Sequence, residues 1–505
     1  MTAEPAHAAT IGDAAASDRV ARSDARMLRR FVVALGLGWS GLFVLVGVAW
    51  RLQMYADGSI FSYSVAIRSG WAYHFHNISN RLFVYVFSHL PAEAYVGLTG
   101  DARGGIFLYG LLFFAAPLAG LLVTLAADRS PGRIVFGCAC LSTACLCPMV
   151  FGFPTEMWVA HSLFWPTLAL CHYARNGAAG IAAVVAAMLA LAFTHEGGLA
   201  FACVILVTVA LRGLRDAAFL RAAGVLVVVL AIWVAVRMTL RPDDYYASII
   251  PAAATNFIDL RSLLASEFFV LLVAALAAYG VAALVLRRLA VARAPACAFA
   301  LVALGLVAYW LWFDHALHTQ NRYYVRTAIF FATPLLGGLA ALRALRVEGA
   351  LALPARWMTW LATMLADGVA ALARGGAARM AAGAILTLTL AYAVETTKFV
   401  AGWTRYEAAV RALAMGAASD PALGDARFVS SERIDADTNR LQWQTTTQFL
   451  SVLVAPGLAP ARLVVDPTAG YFWLTCALAT AGERADSPIP VESRRLIRAY
   501  SCLHR

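Results

Sequence analysis

Apolar residues come in long unbroken blocks along this chain, divided by short clusters of arginine or of acidic, histidine and tyrosine residues. Blocks such as Val32–Trp50 and Gly104–Ala126 leave no polar face for water. They fit neither the alternation of a half-buried strand nor the stripe of a surface helix. A membrane helix needs about 20 mostly apolar residues, because each rises about 1.5 Å through about 30 Å of hydrocarbon. Eleven segments meet that need, near 31–50, 104–126, 134–152, 157–173, 177–193, 198–212, 220–240, 263–286, 296–313, 328–342 and 380–398.

Orientation follows from arginine in the short loops. With the N-terminus inside, the inner turns hold Arg129 and Arg133, Arg175, Arg212 and Arg215, Arg287, Arg288 and Arg293, and Arg343 and Arg346. The outer turns then hold Asp57, Glu156, Thr194-His195-Glu196, Asp243 and Asp244, and the stretch from His315 to Arg326. Nothing in the topology requires the acidic, His and Tyr residues to gather on one face, so their gathering points to a site.

The first outer loop, 51–103, carries two segments that read as helices lying in the interface: one with Ile60, Tyr63, Ile67 and Trp71 on one face, and Leu82–Phe87, too short to span. Trp357, Leu361, Met364, Leu365 and Leu372, with Asp367 among them, read as an inner interfacial segment; a spanning reading would put Asp367 in hydrocarbon, at about 2.5–3.5 kcal/mol. The polar tail reads as a helix over Trp403–Met415, short strands at Arg427–Val429 and Arg462–Val465, and a turn at Asp466–Gly470. The expected fold is therefore an all-α polytopic membrane protein of about 11 transmembrane helices with a small α+β C-terminal extracytoplasmic domain. Its parts are a flexible cytoplasmic N-terminus (1–30), a transmembrane domain (31–400) and the tail domain (401–505). The first apolar run is too long for a cleavable signal core and reads as a retained anchor.

Composition agrees. Charged residues are 14% of the chain and the hydrophobic set 61%, against about 25% charged in soluble domains. This excludes disorder as the main state and argues against a soluble enzyme. The net charge of +11 fits anionic lipid, since the arginines sit in membrane-flanking turns and no nucleic-acid module is present. Cys138, Cys140, Cys145 and Cys147 lack metal spacing and read as small residues of a membrane helix; Cys476 and Cys502 could pair if the tail lies in an oxidising compartment.

Candidate chemistry lies in the outer turns. Asp57 is either a cap for the helix starting near Ile60 or a general base whose pKa rises in a partly dehydrated cavity. Glu156 is either a solvated turn residue or a second carboxylate that orients an acceptor or helps hold a divalent metal. His195 and Glu196 interrupt an apolar stretch, a costly placement unless paired or functional, and His195 could carry charge toward a phosphate. Arg322, Tyr323 and Arg326 run against the positive-inside bias; guanidinium groups recognise phosphate oxygens, although interfacial anchoring is the alternative.

With these residues the pattern resembles the GT-C superfamily of integral-membrane glycosyltransferases, in the branch of protein-mannosyltransferases and aminoarabinose transferases. Four features carry the resemblance across most of 31–400: Asp57 early in a long first outer loop with two interface helices, Glu156 in the second outer loop, Thr194-His195-Glu196-Gly197-Gly198 between apolar stretches, and Arg322-Tyr323 before a late span with Pro334. The family often has Asp-Glu where this chain has Asp57-Gly58, and Thr-Lys-Gly where it has His195. The resemblance implies inverting transfer of a sugar from a polyprenyl-phosphate donor to an extracytoplasmic glycan, lipid or protein acceptor, at the outer face of a cell inner (plasma) membrane. Asp57 would be the base, with Arg322, Arg326 and His195 meeting the phosphate. The alternatives are a transporter or flippase of lipid-linked glycans, a polymerase or ligase, and a scaffold without catalysis.

Overall fold

A computed structural model describes residues 6–71, 81–151, 155–240, 255, 258–314, 325–352, 360, 363–365, 367–368, 375–416, 428–443, 446–466 and 491–502. Helices occupy all eleven segments expected from the apolar blocks. α1 (Ala6–Ala49) is followed by α2 (Asp57–Ala66), α3 (Leu82–Val84), a π turn at Tyr85–His89 and α4 (Leu90–Thr99). The bundle continues through α5 (Ala102–Ala127), α6 (Ile134–Leu146), α7 (Glu156–Tyr173), α8 (Ala178–Ala192), α9 (Glu196–Ala210) and α10 (Ala217–Thr239). After α11 (Leu260–Ala265) come α12 (Glu267–Arg288), α13 (Ala294–Trp312), α14 (Arg326–Glu348) and α15 (Gly375–Met415). The tail holds β1 (Phe428–Ser430), α16 (Ala436–Asn439), α17 (Thr447–Val454), β2 (Leu463–Val465) and α18 (Val491–Cys502); β1 and β2 pair in parallel.

Eight helices among the described residues are long and apolar enough to cross a membrane: Ser23–Ala49, Ala102–Ala127, Pro131–Val150, Ala217–Thr239, Glu267–Arg288, Ala294–Trp312, Arg326–Glu348 and Gly376–Met415. The remaining three, α7, α8 and α9, have 18, 15 and 15 residues. Fifteen residues rise only about 22 Å, short of the hydrocarbon thickness. The separate helices expected at 380–398 and Trp403–Met415 are one continuous α15, because the stretch between Lys398 and Trp403 holds no proline and its one glycine, Gly402, costs only about 1 kcal/mol in a helix.

An aromatic knot holds the centre. Phe43 of α1 lies 4.8 Å from Trp158 of α7 and 5.1 Å from Phe151, and Phe114 of α5 lies 6.0 Å from Phe151. Helices α5 and α7 approach closely at Gly120, where an added Cβ would lie 2.3 Å from the Ser162 carbonyl oxygen. Small residues at such crossings let backbones pack without a hydrophobic driving force. Val227, Val228, Val234 and Met238 of α10, and Leu301, Leu304 and Leu311 of α13, are exposed outward, as lipid-facing positions should be.

Of the inner interfacial segment, Trp357, Leu361 and Leu372 lie outside the described residues; Met364 and Leu365 are exposed, and Asp367 approaches Arg346 at 4.0 Å. Arg427 and Asp243, Asp244 and Cys476 also lie outside them.

Candidate functional site

Turns that are far apart in sequence meet at one end of the bundle. The chain leaves α1 through a short 3₁₀ turn and reaches Ala56, which adopts φ 50° and ψ −131°. A residue with a Cβ disfavours this region, at about 1–3 kcal/mol. Ala56 is the cap position of α2, and Asp57 is the first helical residue, so Asp57 is not the cap. Ser59 secures the turn by sharing its hydroxyl proton between Ala56 O, at 2.9 Å, and Thr446 O, at 3.0 Å.

Asp57 is half-buried and accepts a hydrogen bond from the Trp443 side chain. No cation comes within ion-pair distance of it among the described residues. Burial, reinforced by the charge of Glu156, pushes its carboxyl up to about 6, while Arg81 and Arg326 pull the other way.

Glu156 opens α7 and is buried behind Thr155, whose hydroxyl caps the helix at Met157 N. Arg81 forms an ion pair with Glu156 and stands 3.8 Å from Glu196. Arg81 reaches them because the Phe83 N–H donates to Phe193 O at 2.9 Å, tying the interface segment to the end of α8. Tyr109 of α5 is fully buried, its hydroxyl has no hydrogen-bond partner among the described residues, and it lies in the field of Glu156 and Asp57.

The turn between α8 and α9 needs its glycine: a Cβ at Gly198 would sit 1.9 Å from Leu191 O. His195 caps α9, its Nδ1 accepting the Gly197 N–H at 3.1 Å. Burial pushes His195 down to about 4, with Glu196, 3.3 Å away, opposing. The ring is therefore neutral at physiological pH, and the cation expected from the sequence is a helix cap instead. Arg326, the first residue of α14, is buried and acts electrostatically on both Asp57 and His195.

Asp57, Glu156, His195, Glu196 and Arg326 are thus brought together, while Arg322 and Tyr323 lie outside the described residues. Arg81, Tyr109 and Trp443 join them without having been singled out as chemistry. Arg81 carried the only available hint, a charge interrupting the run 82–87 in an outer loop.

Arg81 occupies the Glu156 carboxylate, and no group of three or more His, Cys, Asp or Glu gathers among the described residues.

Long apolar helices with ionisable groups collected at one end define a multi-pass helical membrane protein. Comparison with protein-family models, with curated proteins and with solved structures finds no match.

Proposed function

We propose that this chain is a membrane glycosyltransferase that moves a sugar from a polyprenyl-phosphate donor to an extracytoplasmic acceptor, with eleven crossings and the tail forming an outer appendage. The observation that carries the reading is the convergence of a carboxyl titrating near 6, two buried or half-buried arginines and a second carboxylate, drawn from elements some 270 residues apart. In this reading Asp57 takes the proton from the acceptor hydroxyl. The acceptor oxygen attacks the anomeric carbon, and the bond to the phosphate oxygen breaks with its electron pair leaving on the phosphate. Arg326 meets that charge, joined by Arg322, and Arg81 is held in place by Glu156. Fixed donors aimed at developing charge are typically the largest catalytic contribution, about 3–4 kcal/mol for one group.

A lipid-borne donor fits a site at the end of apolar helices, where a headgroup lies level with the turns. The test is transfer of labelled sugar from a polyprenyl-phosphate donor by the purified chain. Product formation that is lost in Asp57→Asn supports the reading; full transfer by that variant retires Asp57 as base.

A second reading, a transporter of lipid-linked glycans, is favoured by one feature. Lys398 pairs with Asp314 and lies 3.3 Å from Glu395, all buried near the end of the apolar stretch of α15, and Trp310 Nε1 donates to Glu395 at 2.9 Å. Ionisable residues within apolar helices often mark transport pathways. Movement of intact lipid-linked glycan across vesicles without sugar transfer would select it.

A further inference from the structure

At the far end of α7 from Glu156, a second polar cluster surrounds an open cavity of about 520 Å³. The 18 residues of α7 rise about 27 Å, close to the hydrocarbon thickness, so the two clusters sit at opposite headgroup levels. Arg129, Arg212 and Arg221 line the cavity together with two carboxylates, Asp216 and Glu348, and with His172 and Asn176.

The arginines are held in place before any ligand arrives. Arg212 Nε donates to His172 Nδ1 at 3.3 Å, and its Nη2 pairs with Glu348 at 2.8 Å. Because arginine can only donate, His172 Nδ1 carries the lone pair and Nε2–H points to Thr208 Oγ1, 3.1 Å away. Tyr173 OH satisfies the other Glu348 oxygen at 2.6 Å. Arg221 donates to Ala174 O at 2.9 Å and Cys171 O at 3.0 Å, and also to Asn176 Oδ1; its buried Nε has no acceptor among the described residues.

Of the two carboxylates on the wall, Glu348 is bonded by Arg212 and Tyr173, while Asp216 keeps its charge and turns one oxygen to the Ala218 N–H at 2.8 Å. Arg221 and the exposed Arg129 have no carboxylate partner among the described residues. The positive-inside tendency explains arginine at this end, but not a cavity whose wall sets three arginines against two carboxylates and leaves Arg129 and Arg221 outside any ion pair among the described residues.

We infer that this cavity binds a phosphate-bearing anion, the headgroup of an anionic lipid or a soluble phosphoester. Planar guanidinium groups take phosphate oxygens in pairs, and the ordering of Arg212 and Arg221 lowers the entropic cost of capture.

The full chain, purified in detergent, is tested by native mass spectrometry with phosphatidylglycerol, phosphatidylcholine and glycerol 3-phosphate. Phosphatidylglycerol is expected to be retained over phosphatidylcholine, and Arg129→Glu to lower that retention about tenfold, the loss of one charge-assisted contact. Arg129 is exposed and unpaired, so this variant should fold; Arg221→Ala removes carbonyl bonds as well and serves only as a second variant. Arg288→Glu, an exposed arginine at the same end but outside the cavity, is expected to leave retention unchanged. Displacement of the lipid by glycerol 3-phosphate assigns a soluble phosphoester, and its failure to displace assigns the lipid. Equal retention of the two lipids, or equal losses from Arg129→Glu and Arg288→Glu, overturns the inference.

Discussion

The two ends of α7 use the same residue types to opposite effect. At the Tyr173 end each carboxylate is neutralised or used as a cap, and what remains is positive. At the Glu156 end Arg81 is spent on Glu156, and Asp57 is left half-buried beside a second carboxylate, with a raised pKa and no ion pair among the described residues. A cavity of the first kind can hold an anion. A site of the second kind can take up a proton. The difference lies in pairing and in the balance of charge: three carboxylates against two arginines at the Glu156 end, and three arginines against two carboxylates at the Tyr173 end.

Several changes would break or sharpen that contrast. The largest effect is expected from Asp57→Asn, which should lower sugar transfer by at least about 100-fold, the ordinary worth of a general base, while size-exclusion behaviour and helicity stay as in the wild type. Next, Arg81→Ala leaves Glu156 buried without its partner and should cost about 3–5 kcal/mol. Thermal unfolding in detergent should show this as a lowered midpoint, largely recovered in the Arg81→Ala, Glu156→Gln pair. At the other end, Glu348→Gln breaks a partly exposed pair and should cost only about 1 kcal/mol; equal costs at the two ends would erase the contrast.

The pH dependence has a definite sign. Asp57 binds its proton more tightly in the folded chain than at its ordinary value near 3.8, so its contribution to stability is present below about pH 4 and lost as pH rises through about 6. Asp57→Asn should therefore unfold at a higher temperature than the wild type at pH 7, by up to about 3 kcal/mol, and match it near pH 4. Transfer by the wild type should rise through an inflection near pH 6. The smallest effect is expected from Tyr109→Phe. Removing a buried hydroxyl without a partner should leave stability unchanged or raise it by about 1 kcal/mol.

Much of the site was legible because alternation of crossings assigns every turn to an end. That logic alone put Asp57, Glu156, His195, Glu196 and Arg326 at one end, and the helices occupy the apolar blocks that implied it. Arg81 was not legible as a partner of Glu156, because its reach depends on the backbone bond from Phe83 to Phe193. Trp443 depends on how the tail folds back over α2, and no local pattern encodes that return. The charge of His195 was misjudged for a related reason: a sequence shows a histidine next to a glutamate, but not the Gly197 N–H that occupies its ring nitrogen or the packing that removes its water.

The continuous α15 has a mechanical consequence. Its 41 residues rise about 60 Å, twice what the hydrocarbon accounts for, so roughly half of it stands clear as a stiff mast. Trp403, on that mast, is tied to the Trp50 carbonyl at 2.8 Å, and Tyr406 to Thr447 at 3.1 Å, so the segment that carries Trp443 is braced against the same rigid post. One residue inserted between Lys398 and Trp403 would rotate everything above it by about 100°. It would swing the indole off Asp57 while leaving every membrane-embedded side chain below where it was.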